Sequence, residues 1–162
     1  WLFINLLTAV LASVVIGLFE ATIDRLVALA VLMPIVASTG GNAGTQTMTV
    51  AVRAIALRQL DATATRQFVL RELIVATTNG LLFAALAAGL SYLWFGDPEI
   101  AIVMAVAMIA NLLVAGLSGT FVPVGLMRAG VDPAVASSVF VTTITDVVGF
   151  FVFLGLAALY LM

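Results

Sequence analysis

Eight carboxylates are present in the 162 residues, and seven of them lie in polar connections. The eighth, Asp146, lies near the middle of Val139 to Leu156, a run apolar enough to sit in a bilayer. On insertion scales a carboxylate at that depth is unfavourable by roughly 2.5–3.5 kcal/mol. Nothing close in the chain neutralises it: the nearest basic residue before it is Arg128, and none follows. Such a group ordinarily faces water, a cation or a partner helix. At helical spacing it shares a face with Ser138, Thr142 or Thr143, and Gly149, a polar and small stripe on an aliphatic helix. Threonines in such a helix bond back to earlier carbonyls and loosen the ladder, which would turn an oxygen such as that of Thr142 towards a pore. Thr145 is rotated about 100° away from Asp146.

The available chemistry is narrow. With no histidine, no cysteine and no lysine, there is no imidazole base, no thiol nucleophile and no disulfide. No catalytic arrangement can be assembled, and the chain is not read as an enzyme. A metal would have to be held by oxygen, which points to hard cations. One deep carboxylate is thin for a divalent ion. A two-fold homodimer, the commonest oligomer, would bring two Asp146 side chains around one axis, and rings of acids are a standard device for cation selection. Mg²⁺ suits such a site because it surrenders water reluctantly and can be gripped through its hydration shell.

The elements that position these groups are read from composition. Hydrophobic residues make up 64% and charged residues 9%, against about 25% charged in a soluble domain. The runs do not alternate as barrel strands do. The expected fold is all-α, a polytopic membrane protein with five transmembrane helices at 1–19, 26–57, 73–95, 100–127 and 134–162, forming one domain over 1–162. The net charge of −2 offers no basic surface for nucleic acid. The second run is long and interrupted: Pro34 is expected to kink it, and Ser38-Thr-Gly-Gly-Asn-Ala-Gly-Thr-Gln-Thr47 places a Gly- and amide-rich patch at membrane depth, where it must be buried or face water. Asn111 reads as a helix–helix hydrogen bond. Gly116, Ser118 and Gly119 read as a packing surface. Asp132-Pro133 reads as the cap and first residue of the last helix.

Arg53, Arg58, Asp61, Arg66, Arg71 and Glu72 cluster between the second and third runs, and Arg128 lies between the fourth and fifth. The Gly96-Asp-Pro-Glu99 turn carries only acids. Glu20, Asp24 and Arg25 form the first connection. Since most arginines lie in the second and fourth, the positive-inside rule makes these even-numbered connections cytoplasmic, so the N-terminus lies inside a cell or plasma membrane and the C-terminus outside. Opening on Trp1 within an apolar run, with no basic segment before it, the chain reads as a fragment of a longer protein.

At two of these segments the sequence resembles a known family. Leu32 to Gln46, followed by Thr-Val-Ala-Val-Arg53, resembles the second membrane helix of MgtE-type magnesium channels, related to the solute-carrier 41 group. Asp132 to Ser138 with Thr142-Thr-Ile-Thr-Asp146-Val-Val-Gly149 resembles their fifth. The resemblance implies a homodimeric channel whose pore is lined by the second and fifth helices. It implies hydrated Mg²⁺ held by Asp146 of each subunit and by the main-chain oxygen of Thr142, with Gly41, Asn42 and Gly44 near the pore wall beside Ser138 and Gly149. Family members usually also carry cytoplasmic regulatory domains, which this fragment would lack. The competing reading is a cation-coupled secondary transporter, with the glycine patch as a broken helix at the midplane.

Overall fold

The computed structural model describes residues 1–59 and 62–161. Among them every regular element is an α-helix: α1 (Leu2–Gly17), α2 (Glu20–Arg25), α3 (Val27–Ala56), α4 (Ala62–Phe95), α5 (Pro98–Arg128) and α6 (Pro133–Tyr160). Four of these, α3 to α6, are long and apolar enough to cross a membrane. The first helix has 16 residues, about 24 Å at 1.5 Å per residue, less than a ~30 Å hydrocarbon core. Asp61 and Met162 of the expected elements lie outside the described residues.

Two expectations about these helices are corrected. The second apolar run is not interrupted, because α3 runs unbroken through Pro34 and the whole 38–47 patch. Proline removes one ladder bond and glycine lowers helix propensity by about 1 kcal/mol, but inside a bundle the packing of α3 on α5 and α6 outweighs both. The cluster between the second and third runs is also largely helical. Helix α4 starts at Ala62, about a dozen residues ahead of the apolar run, so Arg66, Arg71 and Glu72 belong to it. There Thr47 Oγ1 of α3 donates to Glu72 Oε2 at 3.0 Å. The turns obey local chemistry. Asp97 caps α5 by accepting from Glu99 N at 2.8 Å, Asp132 caps α6 by accepting from Ala134 N at 2.9 Å, and each is followed by proline at the first helical position.

Helix α5 is the axis. It packs against α3, α4 and α6, which surround it, and α1 lies along α6. Its buried face runs from Ile100 to Val124 and includes Met104, Met108 and Leu112. Lipid supplies little hydrophobic drive for helices to associate, so close approach through small residues takes its place. A Cβ on Gly119 would lie 2.6 Å from the carbonyl oxygen of Gly44 and 3.0 Å from Met48 N. One on Gly116 would lie 2.7 Å from Ala76 Cβ of α4. These positions place α3 parallel and α4 antiparallel to α5, as alternating crossings require. Helix α1 runs in the same direction as α6: Trp1 meets Phe140 edge-on at 6.2 Å and Phe19 meets Phe151 at 5.8 Å.

The obstruction at Gly119 is main chain, which cannot rotate away. Gly119→Ala is therefore expected to destabilise the protein by about 1–3 kcal/mol. Gly89→Ala, where a Cβ meets nothing within 4 Å, should leave stability unchanged or raise it by up to about 1 kcal/mol, since alanine favours a helix interior over glycine. Thermal unfolding of the two variants in the same detergent measures the contrast.

Candidate functional site

Asp146 occupies the middle of the 28 residues of α6, and it is half-buried. Among the described residues its carboxylate makes no hydrogen bond and no ion pair. The fully buried stripe of α6 runs through Val141, Thr145, Gly149 and Phe153, and Asp146 lies one step around the helix from it. On the other flank of that stripe, Phe140 and Phe151 carry α1. The carboxylate side of α6 is thus left uncovered by α1.

The threonines do bond back. Thr142 Oγ1 donates to Ser138 O at 2.9 Å and reaches Val139 O at 3.2 Å. Thr143 Oγ1 donates to Val139 O at 2.6 Å. Thr145 Oγ1 lies 2.9 Å from the carbonyl oxygen of Thr142 and 3.1 Å from that of Val141. That hydroxyl has a single proton to donate, so it serves one of the two carbonyls at a time. Sequence reasoning set Thr145 aside as rotated away. It is rotated away, into the contact with α3, with its hydroxyl within reach of the Thr142 oxygen.

Helix α3 supplies the other border. A Cβ on Gly41 would sit 3.8 Å from Thr142 Cγ2 and 3.9 Å from Thr145 Oγ1, so Gly41 faces α6 at the seam. Asn42 follows it in sequence and is exposed, its Nδ2 donating to Ser38 Oγ at 3.3 Å. Ser38, Asn42, Gln46, Thr49 and Arg53 are all exposed, and their spacing of three and four places them on one face. Of these, sequence reasoning selected only Asn42. The signal for the others was present in the 38-42-46 spacing. The polar face of α3 thus lies between this seam, which Gly41 meets, and α4, where Ser38, Asn42 and Gln46 line a crevice with Asn79 and Phe83.

Gly44 and Gly149 have a different place. Gly44 is buried, with Val141 Cγ1 2.6 Å from where its Cβ would be, and Gly149 is buried against the Asn111 side chain. Both let helices meet behind the seam. Ser138 is half-buried, while its neighbour Ser137 is fully buried. The crevices on the α4 side of that polar face, lined by Ser38, Asn42, Gln46 and Asn79 and by Gln46, Asn79 and Glu72, do not include Asp146, nor does one beside Glu99 and Tyr160. No cluster of three acids is present among the described residues, so a single protomer offers a cation one deep carboxylate and uncharged oxygens.

The adjacent serines make a direct test of this placement, since the chain has no cysteine of its own. Ser138→Cys should react with a small polar thiol reagent in intact proteoliposomes at least about ten times faster than Ser137→Cys, because only accessible thiols react readily.

Comparison with known proteins bears on this site. Residues 33–156, which contain both bordering segments, match the family described as MgtE, divalent cation transporter. The magnesium transporter MgtE of Thermus thermophilus is 37% identical over 161 residues, an alignment that takes in 99% of this chain and 36% of that protein. The magnesium transporters MgtE of Bacillus subtilis and Enterococcus faecalis are 29% and 27% identical, with the same coverage. The chain spans a little over a third of the length of these curated relatives. With a family match covering most of its length and a relative of this identity along nearly all of it, the chain belongs to the MgtE family of divalent cation transporters.

Proposed function

We propose that this chain is the membrane-embedded, ion-conducting part of a magnesium transporter. In this reading it works as a homodimeric channel, with α3 and α6 of each copy facing the two-fold axis and hydrated Mg²⁺ passing between two Asp146 side chains. The observation that carries the proposal is Asp146 itself, at mid-helix without a partner, on a seam whose other border is the polar face of α3. Neither border suits lipid. A polar face at that depth requires water or protein, and a carboxylate requires a counterion or a proton. A second copy placed against this seam meets both requirements at once.

The chemistry follows from the oxygens present. Two carboxylates supply charge −2 against the +2 of the ion, and water molecules retained by Mg²⁺ donate to them. The Thr142 carbonyl accepts from the same hydration shell when the Thr145 hydroxyl turns to Val141 O, 3.1 Å away. Asn42 and Ser38 extend the polar wall, and Gly41 keeps it open because it has no side chain. The shared direction of α1 and α6 supports α1 as a fifth crossing, with flanking residues and local thinning of the bilayer making up for its short length. Five crossings place the N-terminus in the cytoplasm and Arg53 with Arg58, Arg66, Arg71 and Arg128 on that side, Arg25 of α2 lying opposite beside Glu20 and Asp24. The unbroken course of α3 speaks against the secondary-transporter reading, which needed a broken helix at the midplane.

In liposomes, Asp146→Asn and Asp146→Ala should reduce Mg²⁺ uptake to that of protein-free vesicles, while elution volume and thermal stability stay those of the parent dimer. Uptake by either variant at the parent rate would remove Asp146 from the path. Uptake that follows an imposed Na⁺ or proton gradient at fixed Mg²⁺ would replace the channel by a coupled transporter.

A further inference from the structure

Behind the seam lies a side chain that the function above does not use. Asn111, in the middle of α5, is fully buried. Its Nδ2 donates to Val36 O of α3 at 2.8 Å, and its Oδ1 has no partner. A Cβ on Gly40 of α3 would overlap this amide. A Cβ on Gly149 of α6 would stand 2.8 Å from its Nδ2 and 3.0 Å from its Cγ. The amide therefore lies between two helices, each of which has given up a side chain to admit it.

We propose that Asn111 is a positioning residue that sets the width of the ion path, its planar amide acting as the spacer between α3 and α6 at the level of Asp146. The proposal rests on the assignment of Asp146 as the ion site. Gly149 is one helical turn from Asp146, and Gly40 is two residues from Asn42. Because helices are stiff along a turn, the thickness of the group seated at Gly40 and Gly149 fixes how far apart the two borders of the seam stand. The bond to Val36 O adds a rotational constraint, tying α3 to α5 at one carbonyl. Stability does not account for the choice of residue. A buried amide with an unpartnered oxygen is costly, and an aliphatic side chain would fill the space without that cost. What an aliphatic side chain lacks is a flat profile with a donor in its plane. A path built to pass an ion with its water shell must be held to within a fraction of a water diameter, so the spacer acts on which hydrated cation fits.

The test compares Mg²⁺ and Ca²⁺ uptake by liposomes containing Asn111→Ala, Gly149→Ala, the Asn111→Ala/Gly149→Ala double variant, and Asp146→Asn as reference. Asn111→Ala should change the ratio of Mg²⁺ to Ca²⁺ uptake by about tenfold, equivalent to ~1.4 kcal/mol. It should also shift the half-saturating Mg²⁺ concentration more than the maximal rate. Gly149→Ala alone should depress uptake, and the double variant should recover it, because the smaller side chain at 111 makes room for the added methyl. If Asn111→Ala does not assemble, Asn111→Ser carries the same comparison. An unchanged ion ratio in a folded Asn111 variant, or losses that simply add in the double variant, would overturn the spacer while a silent Asp146→Asn leaves the ion site standing. Uptake by Asp146→Asn at the parent rate would instead remove the ion site on which the spacer depends.

Discussion

A carboxylate without a partner, held halfway along a membrane helix, is the constraint to which the rest of this protein answers. Asp146 cannot be relieved from within its own chain: no described group bonds to it, and the arginines lie in or near the helix connections. Helix α1 covers the opposite flank of α6 through Phe140 and Phe151, and the buried stripe from Val141 to Phe153 is committed to α3 and α5. One side of α6 therefore remains, and beside it stands the exposed polar face of α3. Two surfaces that are each unsuited to lipid adjoin along one seam. That coincidence is what a water-filled path between two copies of the chain would need, and it follows from helix phasing alone.

Holding such a seam open requires a stiff wall behind it. The wall is made of glycines that face something definite: Gly44 admits Val141, Gly119 admits the α3 backbone, and Gly40 and Gly149 admit the Asn111 amide. At these distances the helices touch main chain to main chain or main chain to side chain, where dispersion contacts are dense and few rotamers can change. Threonine hydroxyls turned back on their own helices satisfy their donors within α6 at its contact with α3. The closed side is shaped largely by absence of side chains, with the Asn111 amide seated among them.

Much of this was legible in the residues. Apart from the start of α4, apolar runs located the membrane-length helices to within a few residues, Asp97-Pro98 and Asp132-Pro133 marked two starts, and Asn111 and the Gly116–Gly119 patch were read correctly as helix contacts. The continuity of α3 was not legible, because Pro34 and three glycines argue locally for a break and only packing on α5 and α6 argues against one. The early start of α4 was missed for a related reason: Arg66 and Arg71 favour a helix as well as leucine does, yet an apolar count cannot see them. Gly149 was assigned to the Asp146 face because it is one turn away. Three residues is 300° of rotation, not 360°, and the remaining 60° turns it into the core. The partners of the glycines were beyond reach, since Gly40 meets a residue 71 positions further along the chain and sequence spacing says nothing about contacts of that range.

The central claim is that a hydrated divalent cation sits between two copies of Asp146. Diffraction from crystals of the assembled protein soaked in Mn²⁺, recorded for anomalous scattering, tests it most directly. The account predicts one peak on the two-fold axis, separated from the two carboxylates by a water layer. Carboxylates turned to the lipid, or divided by packed aliphatic side chains with no peak between them, would contradict it.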